Sequence, residues 1–369
     1  MVSRRHFLKT SVALGAVAAA SSGVWFVSQK EKVTYVSGFD TKDGRHFVAG
    51  FNAVGELLCQ MALPLRGHGS CPHPSKPNHA LIFARRPGNL AFELDFTQGT
   101  ISKEIQAADG RHFFGHGCFS HDGTKLFTTE NDFDNQRGII VVRDAHSYEI
   151  LDEFASGGIG PHECKMLPDS SMMVVANGGI LTHPSKPREK LNLATMRPNL
   201  AYIDIQSGKI LELIEPEHHH LSIRHLDVSV LGDVIVGMQY QGDRQDDVPL
   251  VFQHRFGQKA FHYMRPPREV EIAMKQYTAS LCFSKDGNQA AVTCPRGNII
   301  TFWDMQMQAF THHQPLMDSA GVGQNRGGFL FTSGMGEIAQ VNLEENRTRR
   351  TGTPQVRWDN HLSVMDQSS

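Results

Sequence analysis

Five histidines recur at one position of a repeated sequence unit, a pattern that suggests metal chemistry. The units begin near "RGHGS", "FGHGC", "GPHEC", "IRHLDVS" and "DNHLSVM". The histidines in register are His68, His116, His162, His225 and His361. Imidazole is a common ligand for zinc, copper, iron and nickel. We therefore predict a metal site, with iron or copper as the candidate ion, where these side chains bind the metal or hydrogen-bond to its ligands.

A structural role for the same histidines stays open at this point. Two further units carry Ser280 and, roughly, Ala320 at the equivalent position, so the set is incomplete. An imidazole there could instead hydrogen-bond a loop carbonyl of the neighbouring unit and hold the fold together. The metal hypothesis needs at least two of the five rings to face one ligand.

A second set of polar residues follows the second strand of several units. Long loops gathered on one face of a rigid scaffold usually carry function. Arginines beside histidines suit a carboxylate or phosphate, which guanidinium groups bind in a forked geometry. The predicted ligand-binding residues are Arg86, Glu130, Asn177, His183, Arg188, Gln239 and Arg296. A metal held together with an anionic chelator would satisfy both sets.

Other reactive residue types give weaker signals. Cys118, Cys164 and Cys282 follow the histidine position by two residues and so share its strand face. We expect them to be small buried residues, and the six cysteines to be mostly free. Three consecutive histidines, residues 218–220, cannot all face one ion from a strand, so we expect a solvated turn. The sequence contains no G-x-S-x-G, Walker-type or H-E-x-x-H motif.

The repeated unit itself predicts the fold. "FGHGCFSHDGTKLFTTEN" resembles "TASLCFSKDGNQAAVTCPRGN", and each reads as a strand, a polar turn and a second strand. Seven first strands can be counted, the last without a following hairpin, while residues 33–62 supply three strands without a first one. A closed ring accounts for both the unpaired C-terminal strand and the incomplete N-terminal blade, because the C-terminal strand then completes that blade. We predict an all-β, seven-bladed β-propeller as one domain over residues 31–369. A six- or eight-bladed ring is the alternative, because the hairpin after Ala320 is weakly defined.

Residues 1–30 form the predicted leader. "SRRHFLK" followed by "SVALGAVAAASSGVWFV" matches the signal read by the bacterial twin-arginine translocase. We expect that translocase as a partner during export and the periplasm as the location. Small residues offer cleavage sites, yet "GVWFV" follows them, so membrane contact through an uncleaved leader stays open.

The charge balance argues against one class of partner. Lysines and arginines number 36 against 38 acidic residues, and three of the basic ones, Arg4, Arg5 and Lys9, lie in the leader. The remainder carries a net charge of about −5. Nucleic-acid binding needs a basic surface, so we expect no nucleic-acid partner.

Several motifs together carry a resemblance to a known family. "GIGPHE", "ANGGILTHP", "LSIRHLDV", "MQYQG" and "DNHLSVM", behind the twin-arginine leader, resemble an uncharacterised family of bacterial exported propellers, a domain of unknown function. The resemblance spans essentially the whole chain after the leader. It implies a periplasmic protein, encoded beside imelysin-type and di-haem oxidoreductase-like proteins in clusters linked to iron acquisition. The family has no established catalytic residues, so the resemblance transfers none to this chain.

Three classes of function follow from these observations. The first is a propeller that binds a metal, or a metal with an anion, at a histidine-lined channel mouth and assists iron acquisition. The second is a non-catalytic scaffold for an imelysin-type or haem partner. The third is an enzyme, either a lactonase-like hydrolase or an oxidoreductase, which would need a compact acid–base pair with room for substrate.

Overall fold

Seven antiparallel sheets follow one another around a closed ring in the computed structural model. The model describes residues 24–26, 31–186, 189–352 and 355–365. The innermost strands of successive sheets contact one another around the ring, and the last sheet contacts the first. The all-β, seven-bladed propeller predicted from the repeat is therefore confirmed.

The first blade combines both ends of the described chain. Its strands are β1 (Val24–Phe26), β2 (Tyr35–Thr41), β3 (His46–Phe51), β4 (Leu57–Leu63), β29 (Val356–Trp358) and β30 (Ser363–Val364). Both C-terminal strands pair with β2, through Phe39 opposite Trp358 and Tyr35 opposite Val364. This pairing is the predicted ring closure. The outer strand β1 pairs with β4 and falls within the predicted leader, the rest of which lies outside the described residues.

The other six blades each contain four strands, numbered from the channel outward. Blade two has β5 (Gly67–Pro72), β6 (His79–Ala84), β7 (Leu90–Asp95) and β8 (Thr100–Gln106). Blade three has β9 (Arg111–Phe119), β10 (Lys125–Asp132), β11 (Arg137–Asp144) and β12 (Ile150–Ala155). Blade four has β13 (Pro161–Met166), β14 (Met172–Asn177), β15 (Asn199–Asp204) and β16 (Ile210–Ile214).

Blades five to seven follow the same order. Blade five has β17 (Leu221–Val228), β18 (Asp233–Tyr240), β19 (Val251–Arg255) and β20 (His262–Met264). Blade six has β21 (Leu281–Phe283), β22 (Gln289–Cys294), β23 (Ile299–Asp304) and β24 (Ala309–Pro315). Blade seven has β25 (Ser319–Asn325), β26 (Gly328–Ser333), β27 (Glu337–Asn342) and β28 (Arg347–Gly352). Helical segments are short: α1 (Arg268–Ala273) and the 3-10 turns Leu193–Thr195 and Pro295–Gly297. Among the described residues no helix is long and apolar enough to cross a bilayer.

The hydrophobic core lies between neighbouring blades. Phe83 of blade two and Phe113 of blade three are fully buried, with ring centroids 5.8 Å apart. Central strands are buried on both faces, whereas outer strands such as β12 and β28 are largely exposed. Each blade is therefore held mainly by packing against its two neighbours, which fixes the innermost strands relative to one another.

The innermost strands are irregular where they carry the repeated histidine. Pairing of β5 with β6 shifts between Gly67 and Ser70, and pairing of β13 with β14 shifts between Pro161 and Glu163. The same irregularity affects β9 and β17, and the histidine of blade one lies between β29 and β30. A bulge inserts an extra residue and re-aims the local side chains. These bulges allow side chains near the histidines to depart from simple strand alternation.

All six cysteines are free thiols. The Sγ atoms of Cys118 and Cys164, on neighbouring innermost strands, lie 3.6 Å apart. Burial raises the pKa of the Cys71 thiol, because a thiolate is poorly solvated there. Cys59, Cys71, Cys164 and Cys294 are buried, whereas Cys118 and Cys282 are only partly buried, so of the three cysteines beside the histidine position only Cys164 is the buried residue expected from the sequence.

Candidate functional site

The five repeated histidines form one compact cluster. Ring centroids of His68 and His361 lie 4.3 Å apart, those of His162 and His225 lie 4.5 Å apart, and those of His116 and His361 also lie 4.5 Å apart. The widest measured pair, His68 and His225, is separated by 6.5 Å. Blades one to five each supply one ring. The structure thus brings together all five histidines that the repeat alignment placed in register.

Burial keeps most of these rings neutral. The five residues are only 2% to 8% exposed. Burial lowers the pKa of His68, His116, His162 and His361 well below the usual 6.5, and nearby positive charge lowers it further at His68. A neutral imidazole carries a free lone pair and needs no proton loss before binding a metal.

Two carboxylates orient part of the cluster. The Nδ1 atom of His68 lies 2.8 Å from Oδ1 of Asp359, and the Nδ1 atom of His225 lies 3.2 Å from Oε2 of Glu163. Glu163 also approaches Nδ1 of His116, at 3.8 Å. Burial alone would raise the pKa of Glu163, but the adjacent His116 and the His225 hydrogen bond outweigh it and lower the pKa to about 2. Such carboxylate–imidazole pairs fix the tautomer and leave Nε2 of His68 and His225 for a ligand.

Three ring nitrogens in the cluster have no hydrogen-bond partner. These buried atoms are Nε2 of His116, Nδ1 of His162 and Nε2 of His361, and none contacts a polar group of the described residues closely enough to bond. A buried polar atom without a partner costs about 1–3 kcal/mol. Three such atoms within one cluster leave hydrogen-bonding or coordination capacity that ordered water, an ion or a ligand could satisfy.

The spacing of the nitrogens is compatible with a metal after a small contraction. His68, His116 and His361 form one group, and His116, His162 and His225 form another, with ligand atoms within 4.8 Å of one another in each. Nitrogens of a tetrahedral site with 2.0–2.1 Å bonds lie about 3.4 Å apart, so each ring would move inward by at most about 0.8 Å. Because His116 belongs to both groups, it is the residue on which either site would depend most.

A cationic cavity lies directly against this cluster. Its volume is about 210 Å³, and its walls include His68, His162 and His225. Five basic side chains also line it: Arg85, Arg86, Lys190, Arg224 and Arg296. None of the described residues that line the cavity is acidic. The cavity therefore favours a bound anion.

Arg224 is the most unusual of these cations. It is 7% exposed, its Nε atom has no hydrogen-bond partner, and within the described ranges its guanidinium forms no ion pair. Burial, with added repulsion from Arg86, lowers its pKa to about 9. A buried arginine normally binds a carboxylate or phosphate, since an unpaired buried charge is costly.

Only part of the ligand-binding set predicted from sequence reaches this cavity. Arg86, Gln239 and Arg296 line it. Arg296 also stacks on Tyr277, with the guanidinium carbon 4.1 Å from the ring centroid. Arg188 lies outside the described residues.

The remaining predicted residues have other partners. Glu130 is fully buried, accepts hydrogen bonds from Arg143 and Thr128, each at 2.9 Å, and does not line the cavity. Asn177 bonds to Ser156 and Asn199 at the start of blade four. His183 bonds to Ser185 at 2.7 Å and is not among the cavity-lining residues.

The sequence reasoning missed several residues that the fold brings to the site. Lys190 comes from the long connection between β14 and β15, and Arg224 immediately precedes His225. Glu163 and Asp359, which orient the rings, lie one and two residues from a repeated histidine. Simple strand alternation would place Arg224 and His225 on opposite faces, and the bulge between Ile223 and His225 removes that constraint.

A second histidine group, residues 218–220, forms the turn before β17. The Nδ1 atom of His218 accepts the backbone N–H of His220, and its Nε2 atom lies 3.0 Å from the hydroxyl of Tyr240. The Nε2 atom of His220 bonds to the carbonyl of Leu193 at 3.1 Å. Because both nitrogens of His218 are engaged, this group is less suited to a metal than the channel cluster is.

The fold and the site define the class of protein: an exported β-propeller with a buried histidine cluster beside a cationic cavity. Residues 1–21 match the twin-arginine translocation signal sequence, which indicates export to the periplasm through the twin-arginine translocase. Residues 61–365 match the family described as "Protein of unknown function (DUF1513)". The chain belongs to that family.

Comparison with solved structures extends only to the fold. The chain is similar to Kuenenia stuttgartiensis hydrazine synthase, with a TM-score of 0.59 and 14% identity. The match covers 86% of this chain and 94% of that chain. No curated protein matches the sequence. The site must therefore be interpreted from its own chemistry.

Proposed function

We propose that this protein binds a metal ion, iron or copper, at the histidine cluster, together with an anion in the cationic cavity. The observation that carries the proposal is the set of three unpartnered ring nitrogens, on His116, His162 and His361. If these histidines only held blades together, their ring nitrogens would be expected to bond to neighbouring loops. Metal coordination would instead occupy the free lone pairs of neutral rings.

The basic residues support the anionic part of the proposal. Arg86 and Arg296, predicted from sequence, act with Arg85, Arg224 and Lys190 to hold an oxyanion, and Gln239 orients it. Arg188 stays a predicted contributor from outside the described residues. Glu130, Asn177 and His183 are not retained, because none of them lines the cavity. An oxyanion beside the cluster would balance the positive charge and add oxygen ligands to the nitrogen set.

The family resemblance suggests the process that this site serves. The resemblance implies imelysin-type and di-haem proteins, linked to iron acquisition, as genomic neighbours. In this proposal the propeller holds iron, or a copper ion required for iron chemistry, in the periplasm and presents it to such a partner. A scaffold that only docks a partner protein would not need the unpartnered buried nitrogens of the histidine cluster.

The first test is the metal content of protein purified from the periplasm, measured by elemental analysis. We expect stoichiometric iron or copper in the wild-type protein and at least a hundredfold weaker binding in His116→Gln, because changes to residues behind the ligands alone typically cost about 10–100-fold. His112→Gln is the matched control, since His112 is a buried histidine bonded to Asn131 outside the cluster.

The outcome separates the hypotheses clearly. Equal metal content in His116→Gln and the wild type would place the metal elsewhere. No metal in native protein, and none after addition of iron, copper or zinc salts to folded protein, would remove the metal proposal and favour the scaffold.

A further inference from the structure

A second, larger cavity adjoins the proposed anion site. Its volume is about 870 Å³, and it lies around the loop after β18 and the helix α1. Three residues line both cavities: Lys190, Gln241 and Arg296. The Nζ atom of Lys190 donates a hydrogen bond to Oε1 of Gln241 at 2.6 Å, so these two side chains lie together at the boundary.

The two cavities differ in size and chemistry. The inner cavity, at about 210 Å³, has room for about seven waters, which suits a carboxylate or phosphate group but not a drug-sized molecule. The outer cavity falls within the usual range of ligand pockets, about 300–1,000 Å³. Its wall mixes apolar Val248, Leu250 and Ile272 with polar Gln245.

The charged groups of the outer cavity are mostly basic, with five lysines and arginines against two acidic residues. Glu271 is paired with Arg265 at 3.1 Å, and Asp246 accepts a hydrogen bond from the hydroxyl of Tyr240 but keeps its negative charge. The basic residues that line it include Arg244 and Lys275, for which the described chain provides no ion-pair partner.

We propose that the natural ligand is an organic anion in two parts, with an oxyanion head between Arg224 and the histidine cluster and a larger, partly apolar body in the outer cavity. This inference rests on the proposed function, because the head occupies the same anion site. It adds a ligand class and a second binding region. Lys190, Gln241 and Arg296 would contact the junction between head and body.

The proposal is tested with ligands that share a head but differ in body. Binding of inorganic phosphate and of biphenyl phosphate to the full-length, metal-free protein is measured by calorimetry. We expect biphenyl phosphate to bind at least tenfold more tightly, or about 1.4 kcal/mol. Acetate and biphenylacetate form the equivalent carboxylate pair and show which head the arginines prefer.

One variant separates the two cavities. Ile272 is 61% exposed on α1 and lines the outer cavity, so Ile272→Asp should leave the fold intact. It is expected to weaken biphenyl phosphate about tenfold and leave inorganic phosphate unchanged. Leu231→Asp is the matched control, because Leu231 is 59% exposed and does not line the cavity. Arg224→Leu should weaken both ligands.

Each outcome has a separate meaning. Equal affinity for the two phosphates, or equal effects of Ile272→Asp and Leu231→Asp on biphenyl phosphate, overturns the two-part ligand and leaves the anion site standing. Weak phosphate binding that is unaffected by Arg224→Leu overturns the anion site of the proposed function, and the two-part ligand with it.

Discussion

The metal-free protein should lose much of its stability on mild acidification because its histidine cluster is buried and neutral. The perturbation is a change from pH 7.5 to pH 5.5 without metal. Burial lowers the pKa of His68, His116, His162 and His361 well below 6.5, whereas in the unfolded chain each titrates near 6.5. The unfolded chain therefore binds more protons than the folded protein as the pH falls through 6.5, and stability declines.

The magnitude follows from this difference in pKa. A histidine that titrates at 6.5 only when unfolded reduces the free energy of unfolding by about 1.4 kcal/mol between pH 7.5 and 5.5. Four such residues together give about 5–6 kcal/mol, a large part of the 5–15 kcal/mol that stabilises a typical protein. His73, whose pKa burial lowers to about 4, adds a loss of the same sign.

Urea unfolding, followed by fluorescence of buried Trp303 and Trp358, measures this loss at the two pH values. In His116→Gln the pH-linked loss should shrink by about 1.4 kcal/mol, because one titrating group is removed. His262→Gln is the control, since His262 is exposed. The reasoning is refuted if the wild type loses less than about 1 kcal/mol, or if the two variants show the same pH-linked loss.

Three further predictions test the surroundings of the cluster. Metal affinity of the folded protein, measured by competition with a chelator and corrected for the chelator's own protonation, should change less than about tenfold between pH 7.5 and 5.5, because four cluster rings are already neutral; a steep fall would contradict their low pKa. Asp359→Asn should reduce metal affinity about 10–100-fold in the same assay, since Asp359 orients His68; unchanged affinity would contradict that orienting role. Arg143→Met should lower the free energy of unfolding by about 3–5 kcal/mol, because it leaves Glu130 buried without its cation. Adding Glu130→Gln should restore part of that loss, and denaturant unfolding would decide whether it does.

The fold could be predicted from the sequence because the blades repeat one local pattern of strands and turns. The "FS-x-DG" turn lies between two strands in blades three and six, and the unpaired strand at each end of the chain required a closed ring. The weakly defined hairpin after Ala320 proved to be β25 and β26, which fixes the number of blades at seven. Strand Val24–Phe26 was not predicted, because its residues read as part of the leader.

The histidine cluster was predictable and its partners were not, for one physical reason. Register within a repeat identifies residues at equivalent places, so the five histidines could be aligned without coordinates. Whether a residue next to one of these histidines in sequence also reaches the cluster depends on β-bulges. Such bulges have no clear signature in a single sequence. Pairing of β17 with β18 shifts between Ile223 and His225, so both Arg224 and His225 reach one cavity.

The asymmetry of the ring bears on what the site binds. Blades one to five contribute imidazoles, whereas blades six and seven carry the small residues Ser280 and Ala320 at the equivalent position. Blade six instead supplies Arg296, and the loop of blade four supplies Lys190. A role in bracing the ring would apply to every blade alike, because each must pack against two neighbours. Neutral nitrogen donors are concentrated on one part of the ring, beside cations that have no ion-pair partner among the described residues. This arrangement is the one expected for a metal that carries its own anion.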